Sequence, residues 1–258
     1  MHYFTEAIVL KSNPYGEADL IVTYFTKNYG LLNLFAKSPR KIKSRFGSSL
    51  EPLTYSRISF IGREERLQRI IQSDIIHSFQ KIREDYRLFL KAAEGLKLIN
   101  RIMPKREPNS ELFSILLKTL FSIEKTQKPG NYILFLKTKT LDILGYLPDF
   151  KHCGVCKTQL NNQCYYFKGF IVCETCFGNM QTGNEQIDSS SMIALGVKKL
   201  MNEITKWKFD FLERVKISSK LMEEVEKFLS NHLEIVLEKD YGLKNIDSLP
   251  LSDETMLK

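Results

Sequence analysis

Several things are scarce in this chain of 258 residues, and each scarcity removes a class of protein. No run approaches the roughly 18 to 20 uninterrupted apolar residues of a membrane span, and the opening MHYFTEAIVLKSNPYGEADL lacks the basic, apolar and small-residue order of a signal peptide. A cytoplasmic protein in reducing surroundings is expected, and there disulfides are disfavoured. Histidine is rare: the four, at positions 2, 77, 152 and 232, are too scattered to argue for a catalytic triad. There is no G-x-S-x-G, no H-E-x-x-H and no G-x-G-x-x-G. GNMQTGNEQ sets Gly178 and Gly183 at the spacing of a phosphate-binding loop, but Asn184 and Glu185 stand where Lys and Ser/Thr must reach the phosphates and magnesium. These absences lead to the expectation that the protein is not an enzyme.

What is present begins with an ordinary globular composition, 43% hydrophobic and 26% charged, enough for a sizeable core. The formal charge of +8 is unevenly spread. Residues 1–180 hold 27 Lys/Arg against 16 Asp/Glu, whereas residues 181–258 hold 11 against 14. A basic excess confined to the first two thirds favours a polyanionic partner there over a neutral small molecule.

All five cysteines fall in CGVCKTQLNNQCYYFKGFIVCETC. Cys153, Cys156, Cys173 and Cys176 make C-x2-C-x16-C-x2-C, the spacing of a four-thiolate zinc site, in which each C-x-x-C bends around one metal and two such turns complete a tetrahedron. A redox dithiol would want one C-x-x-C at a helix start beside a strand, and paired disulfides would suit a small secreted domain. One structural Zn²⁺ is the expectation, with Cys164 left out as a small half-buried residue. His152, next to Cys153, could touch the site from outside, but four thiolates already fill a tetrahedron.

Along the chain, HYFTEAIVL, ADLIVTYFT, LLNLFAK, TYSRISFIG and RLQRIIQ read as short strands separated by turn residues, with KNYG as a hairpin. Five strands in about seventy residues without a helix between them point to a small closed barrel of the OB or SH3-like kind. From Phe79 the period changes. Phe79, Ile82, Tyr86, Phe89, Ala93 and Leu96 mark one helical stripe up to Pro104; Leu112 to Leu120 a second helix capped by Asn109 or Ser110; NYILFLKTKTLDILG a third, ended by Gly145. Past the cysteines, Ile193 to Trp207 and Leu221 to Val236 give two more, with His232 on the apolar stripe of the last as a core or rim residue rather than a ligand. The expected architecture is α+β: an OB-fold-like barrel over 1–78, then a helical domain over 79–258 with the zinc-binding segment at 150–180 inserted. The tail after Asp247 reads as frayed.

The candidate working surface is KSPRKIKSR, where Lys37, Arg40, Lys41, Lys43 and Arg45 put five cations in nine residues with no acid among them. Pro39, two serines and Phe46-Gly47 make it a loop that hangs from the third strand. Such a run can simply be solvated. On an OB barrel, whose loops and faces carry single strands between cations and aromatic platforms, it becomes a candidate for single-stranded DNA. Tyr24, Phe25, Tyr29, Phe35 and Phe46 are near in sequence, most of them expected in the core or at its rim. Lys and Arg neutralise phosphates without reading bases, so little sequence preference is expected. A zinc-containing RNA-binding or ribosome-associated module is the alternative.

The basic RKIKSRFGSSLEPL in an N-terminal barrel, a helical region, and LGYLPDFKHCGVC leading to a second C-x-x-C together resemble the bacterial RecO family of recombination mediators. The resemblance rests most on Arg40-Lys41, Ser44-Arg45-Phe46, and Leu144-Gly145-Tyr146 with Pro148 ahead of Cys153. It implies DNA repair by ATP-independent annealing of complementary strands. It further implies help in loading RecA onto DNA coated by single-strand DNA-binding protein, together with RecR and sometimes RecF, on the nucleoid. The zinc cysteines are not required across that family.

Overall fold

The structure, a computed structural model, describes residues 1–39, 46–181 and 192–241. Five strands, β1 (His2–Tyr15), β2 (Asp19–Thr26), β3 (Gly30–Ala36), β4 (Tyr55–Ile61) and β5 (Gln68–His77), close into a barrel in the order β1-β2-β3-β5-β4, with β4 returning to β1. This is the OB-like barrel expected from the five runs of β-branched and aromatic residues. β1 is long because it has two partners. His2 to Ile8 pair with β4 and Ala7 to Tyr15 with β2, and a bulge between Val9 and Lys11 supplies the extra twist that closure needs. β3 and β5 meet in parallel over only Leu34–Gln68 and Phe35–Arg69.

Alternation along the strands fills the barrel. Val22 and Tyr24 of β2, Leu32, Leu34 and Ala36 of β3, and Ile58 and Phe60 of β4 form one buried cluster with Ala7, Val9 and Ile70. Phe46 and Leu50, at either end of a short 3-10 turn (Gly47–Leu50), complete it. In KNYG, Gly30 has φ +64, and a Cβ there would run into the backbone of Glu107. Only glycine lets the chain after the second helix approach so closely.

Helices follow: α1 (Gln80–Glu84), α2 (Tyr86–Ile102), α3 (Ser110–Thr126) and α4 (Gly130–Ile143). The stripe from Phe79 is thus two helices rather than one. Asp85, extended at φ −99 and ψ 111, breaks the run and caps α2, accepting bonds from the amides of Arg87 and Leu88. Asn109 caps α3 in the same way. α4 carries the continuous buried run Tyr132 to Leu136 and lies close to α2 where Gly95 faces Leu136. Phe79, in a left-handed conformation and fully buried, packs against Phe121 of α3, and Phe25 of the barrel packs edge-on to Phe113.

After the cysteine segment come α5 (Glu174–Gln181), α6 (Leu195–Ile204) and α7 (Ser219–Tyr241); a two-stranded hairpin, β6 (Cys164–Phe167) and β7 (Phe170–Cys173), precedes α5. By internal packing the chain divides into residues 1–147 with 200–217, and residues 148–199 with 218–258. In the second, His232 is buried on the inner stripe of α7, as its spacing indicated, and shares a hydrogen bond of 2.8 Å with Tyr166. Among the described residues no helix is long and apolar enough to cross a membrane. The tail after Asp247 lies outside the described residues.

One side chain ties α1 to the barrel. The Arg83 guanidinium donates to the Glu51 carboxylate (2.6 Å), the Pro52 carbonyl (2.6 Å), the Thr54 hydroxyl (2.6 Å) and the Ser78 carbonyl (2.7 Å). Arg83→Ala is expected to destabilise the fold by about 2–3 kcal/mol, because several charge-assisted bonds are lost at once. Arg83→Lys should recover little, since an ammonium cannot reproduce the fork. Arg87→Ala, at an exposed neighbour, should leave the denaturant midpoint within the scatter of wild type, and an equal loss there would show that the geometry at Arg83 is not special.

Candidate nucleic-acid interface and metal centre

The basic loop leaves the barrel at the end of β3. Lys37 is exposed, and the chain then turns through Ser38 at φ +54, whose amide donates to the Asp19 carboxylate at 2.6 Å. On the far side Phe46 is buried in the barrel core and Gly47 takes φ +51. Arg40, Lys41, Lys43 and Arg45 lie outside the described residues. Both ends of the loop are therefore fixed to the barrel, one by a hydrogen bond and one by an aromatic anchor. The next segment is fixed as well: Ser12 Oγ donates to the Leu50 carbonyl, and Arg83 holds Glu51 to Thr54.

Of the nearby aromatics, Tyr24, Phe25 and Phe46 are core residues and Tyr29 packs against the core. Phe35 is different. It alternates with the inward Leu34 and Ala36, is half-buried on the outer side of β3, and meets the exposed Tyr15 edge-on at 6.0 Å. Its cross-strand partner on β5 is Arg69, also exposed. Sequence reasoning missed Tyr15 and Arg69, although the outward phase of β3 was a signal that could have pointed to them. Cations beside aromatic faces on a sheet can hold a sugar-phosphate backbone while bases stack.

The second feature is the cysteine cluster. The Sγ atoms of Cys153, Cys156, Cys173 and Cys176 all lie within 4.8 Å of one another, so this group can hold a metal ion. Two turns present them. In the first, the Cys153 amide donates to the Thr158 carbonyl (2.8 Å), the Lys157 amide returns to Cys153 (3.0 Å), and Lys157 adopts φ +61. The Gly154 amide bonds Ile171 of β7 at 2.8 Å, and a Cβ on Gly154 would crowd Phe170 at 2.9 Å. In the second, Cys173 ends β7 and Cys176 sits in the first turn of α5. The hairpin between them turns through Lys168 and Gly169, both at positive φ, the type I′ geometry that suits strand twist.

The electrostatics favour the thiolate at Cys156 and Cys153. Hydrogen bonding from the Thr158 hydroxyl and amide brings Cys156 down to about 6. Burial pushes Cys153 up, but the amides of Cys173, Cys156 and Val155 aimed at its sulfur outweigh this and leave it below the ordinary thiol range. Cys176 is pushed up to about 12 by the neighbouring sulfurs of Cys156 and Cys173. Four sulfurs this close cannot all ionise alone. A cation at the centre removes that repulsion, so binding releases protons and weakens as pH falls. Cys164, directly opposite Cys173 across the hairpin, is not part of the cluster; it is fully buried rather than half-buried, and burial raises its thiol. His152 turns outward to Asp149, 2.8 Å away.

Comparison with known proteins agrees with this architecture. Residues 1–79 match the family model for the Recombination protein O N terminal region, and residues 83–244 match that for the Recombination protein O C terminal region. A protein named DNA repair protein RecO from Thermodesulfovibrio yellowstonii is 65% identical over 237 residues, covering 92% of this chain and 94% of the relative. Proteins of the same name from Caldanaerobacter subterraneus subsp. tengcongensis and Dehalococcoides mccartyi are 31% and 30% identical, with 96% of this chain covered in each case and 98% and 96% of the relatives. The chain belongs to the RecO family.

Cys173→Ser is expected to abolish metal retention and to lower thermal stability, since the binding energy of a structural metal is also folding energy. Cys164→Ser should leave the metal content of purified protein unchanged. Elemental analysis decides: a full complement in the Cys173 variant, or loss in the Cys164 variant, would mean that the ligand set is wrong.

Proposed function

We propose that the chain is a DNA repair and recombination mediator that binds single-stranded DNA and anneals complementary strands without ATP. In this reading it also helps load RecA onto DNA coated by single-strand DNA-binding protein, together with RecR and in some settings RecF. The observation that carries the reading is the five-cation loop from Lys37 to Arg45, held at both ends by a closed barrel, in a chain of the RecO family. Phosphates of two strands drawn to one cationic surface repel each other less, and complementary segments can then meet. No covalent bond is made or broken, so the protein is read as a non-enzyme of the bacterial cytoplasm. Its basic first part serves DNA and its acidic last third serves protein partners.

The metal is read as zinc. Zn–S bonds of about 2.3 Å in a tetrahedron place sulfurs about 3.8 Å apart. Cys156 and Cys173 stand at 3.8 Å. Four protein ligands leave no open coordination position, which suits a structural ion.

Changing Arg40, Lys41, Lys43 and Arg45 together to Ala is expected to lower the log-log salt slope of single-strand binding by roughly 3, at about 0.7 per phosphate contact. Mixed and homopolymer strands should weaken alike, because phosphate contacts carry no base information. Annealing of strands coated by single-strand DNA-binding protein should fail in parallel, with zinc content and unfolding temperature unchanged. A folded variant that keeps the wild-type slope removes the loop from the mechanism, and tighter binding to structured RNA than to single-stranded DNA would favour an RNA-binding module. Annealing by wild type should need no ATP, and a DNA-stimulated ATPase in clean protein would contradict this.

A further inference from the structure

At the seam of the barrel, β3 and β5 are paired at only two positions, Leu34–Gln68 and Phe35–Arg69. Towards the start of β3 the place of a neighbouring strand is taken by the connection between α2 and α3. Leu31 bridges Lys105 in parallel, and the Arg106 amide donates to the Leu31 carbonyl at 3.1 Å. Between these contacts lies a cleft of about 170 Å³, floored by Leu31 and Leu32 and rimmed by Arg66, Lys105 and Arg106. It is smaller than the roughly 300–1,000 Å³ that small-molecule and cofactor sites occupy, so its size suits a single anionic group. Among the described residues none of the three cations has a carboxylate at ion-pair distance.

One of the three cations, Arg106, is held in place. Arg106 sits at φ +62, a conformation uncommon for a residue with a side chain, and such outliers persist only where the surroundings impose them. Its guanidinium donates to the buried Gln68 side-chain oxygen at 3.2 Å, while Gln68 Nε2 has no partner among the described residues. Next to it, the Glu107 backbone is pressed against Gly30. From Leu31 to Lys37, β3 and the residue after it span about 20 Å at roughly 3.3 Å per residue. Its outward positions are Asn33, Phe35 and Lys37, with Arg69 beside Phe35. Cations thus stand at both ends of one wall, with an aromatic ring between them.

We propose that Arg66, Lys105 and Arg106 form a second phosphate-binding station, so that a strand held by the basic loop runs along the outer side of β3, past Phe35 and Arg69, to the α2–α3 connection. This rests on the single-strand reading above and adds its path: the helical part of the chain completes the binding track of the barrel. An acidic peptide is the less favoured occupant. To add as a strand it would need a free edge, and Leu31 and Leu34, on either side of the gap, are already paired. Phosphates need only point charges.

The test compares wild type, Arg66→Ala/Lys105→Ala and the fourfold loop variant across a salt series, with a short oligothymidylate and one of about 16 nucleotides, the upper site size of an OB barrel. Neither Arg66 nor Lys105 makes a side-chain hydrogen bond among the described residues, so the double variant should fold; Lys105→Gln is the fallback. On the long oligonucleotide the double variant should lose about 1.4 of slope, two contacts at about 0.7 each, and on the short one almost nothing. Wild-type slopes at both lengths, beside a weakened loop variant, overturn the second station and leave the single-strand reading intact. Should the loop variant also keep the wild-type slope, the reading itself fails and takes the inference with it. Loss of binding to a poly-glutamate peptide with the DNA slope unchanged would make the cleft a protein-docking site and likewise overturn the proposal.

Discussion

Closure of the barrel by β1 is the constraint on which the rest of the first compact unit depends. One strand of fourteen residues is hydrogen-bonded along both edges, to β4 by its first half and to β2 by its second, the two roles overlapping at Ala7 and Ile8, with a bulge at Val9/Lys11 just beyond. With no free edge, the outward faces of β2, β3 and β5 are held in one register. That register sets Phe35 beside Arg69 and puts the exit at Ser38 within reach of Asp19. It also brings the Phe46 ring under the barrel, so the flanks of the basic loop are positioned by the same core that Tyr24 and Phe60 fill.

In the second compact unit a different device takes over. Strands of four residues such as β6 and β7 are too short to stand alone, and their hairpin is supported from several sides. Tyr165 stacks on Phe177 of α5 at 4.1 Å, the Ile193 amide bonds the Cys164 carbonyl, and the buried Lys198 ammonium donates to the carbonyls of Leu160 and Asn161. The first cysteine turn lies along β7, with Gly154 against Phe170 and Ile171, and the second follows the end of β7, so a metal ion would join the chain before β6 to the start of α5. Burying Lys198 is tolerated because two carbonyls accept hydrogen bonds from its ammonium.

Much of this was legible in the sequence, for reasons that can be named. The barrel strands announce themselves by β-branched and aromatic residues between Gly, Asn and Ser signals, and the cysteines by a spacing that few other arrangements produce. The break at Asp85 was hidden because Ile82 and Tyr86 continue the helical period across it, and only the capping bonds reveal the interruption. The β6–β7 hairpin was hidden inside the cysteine segment, where CYYF and FIVC are too short to show alternation. The cation cleft could not be read at all: Arg66 follows β4 and Lys105 follows α2, and nothing local says that the chain after α2 takes a strand's place beside β3. Such features arise from tertiary pairing, which leaves no periodic trace in either partner.

The Arg83 staple has a bearing on where this protein can be cut. The matches divide the chain near residues 79 and 83, which invites separate expression of the barrel. Yet Arg83, the first residue of the second match, supplies the donors for Glu51, Pro52 and Thr54, while Phe113 covers Phe25 and Glu107 covers Gly30. A fragment ending at residue 79 would uncover an aromatic ring and leave the Glu51 carboxylate, the Pro52 carbonyl and the Thr54 hydroxyl without the Arg83 donors in the segment that follows the basic loop. Weak binding by such a fragment would therefore report damage to the barrel's outer wall as much as the loss of any surface beyond it, and the boundary of homology here is not a boundary of folding.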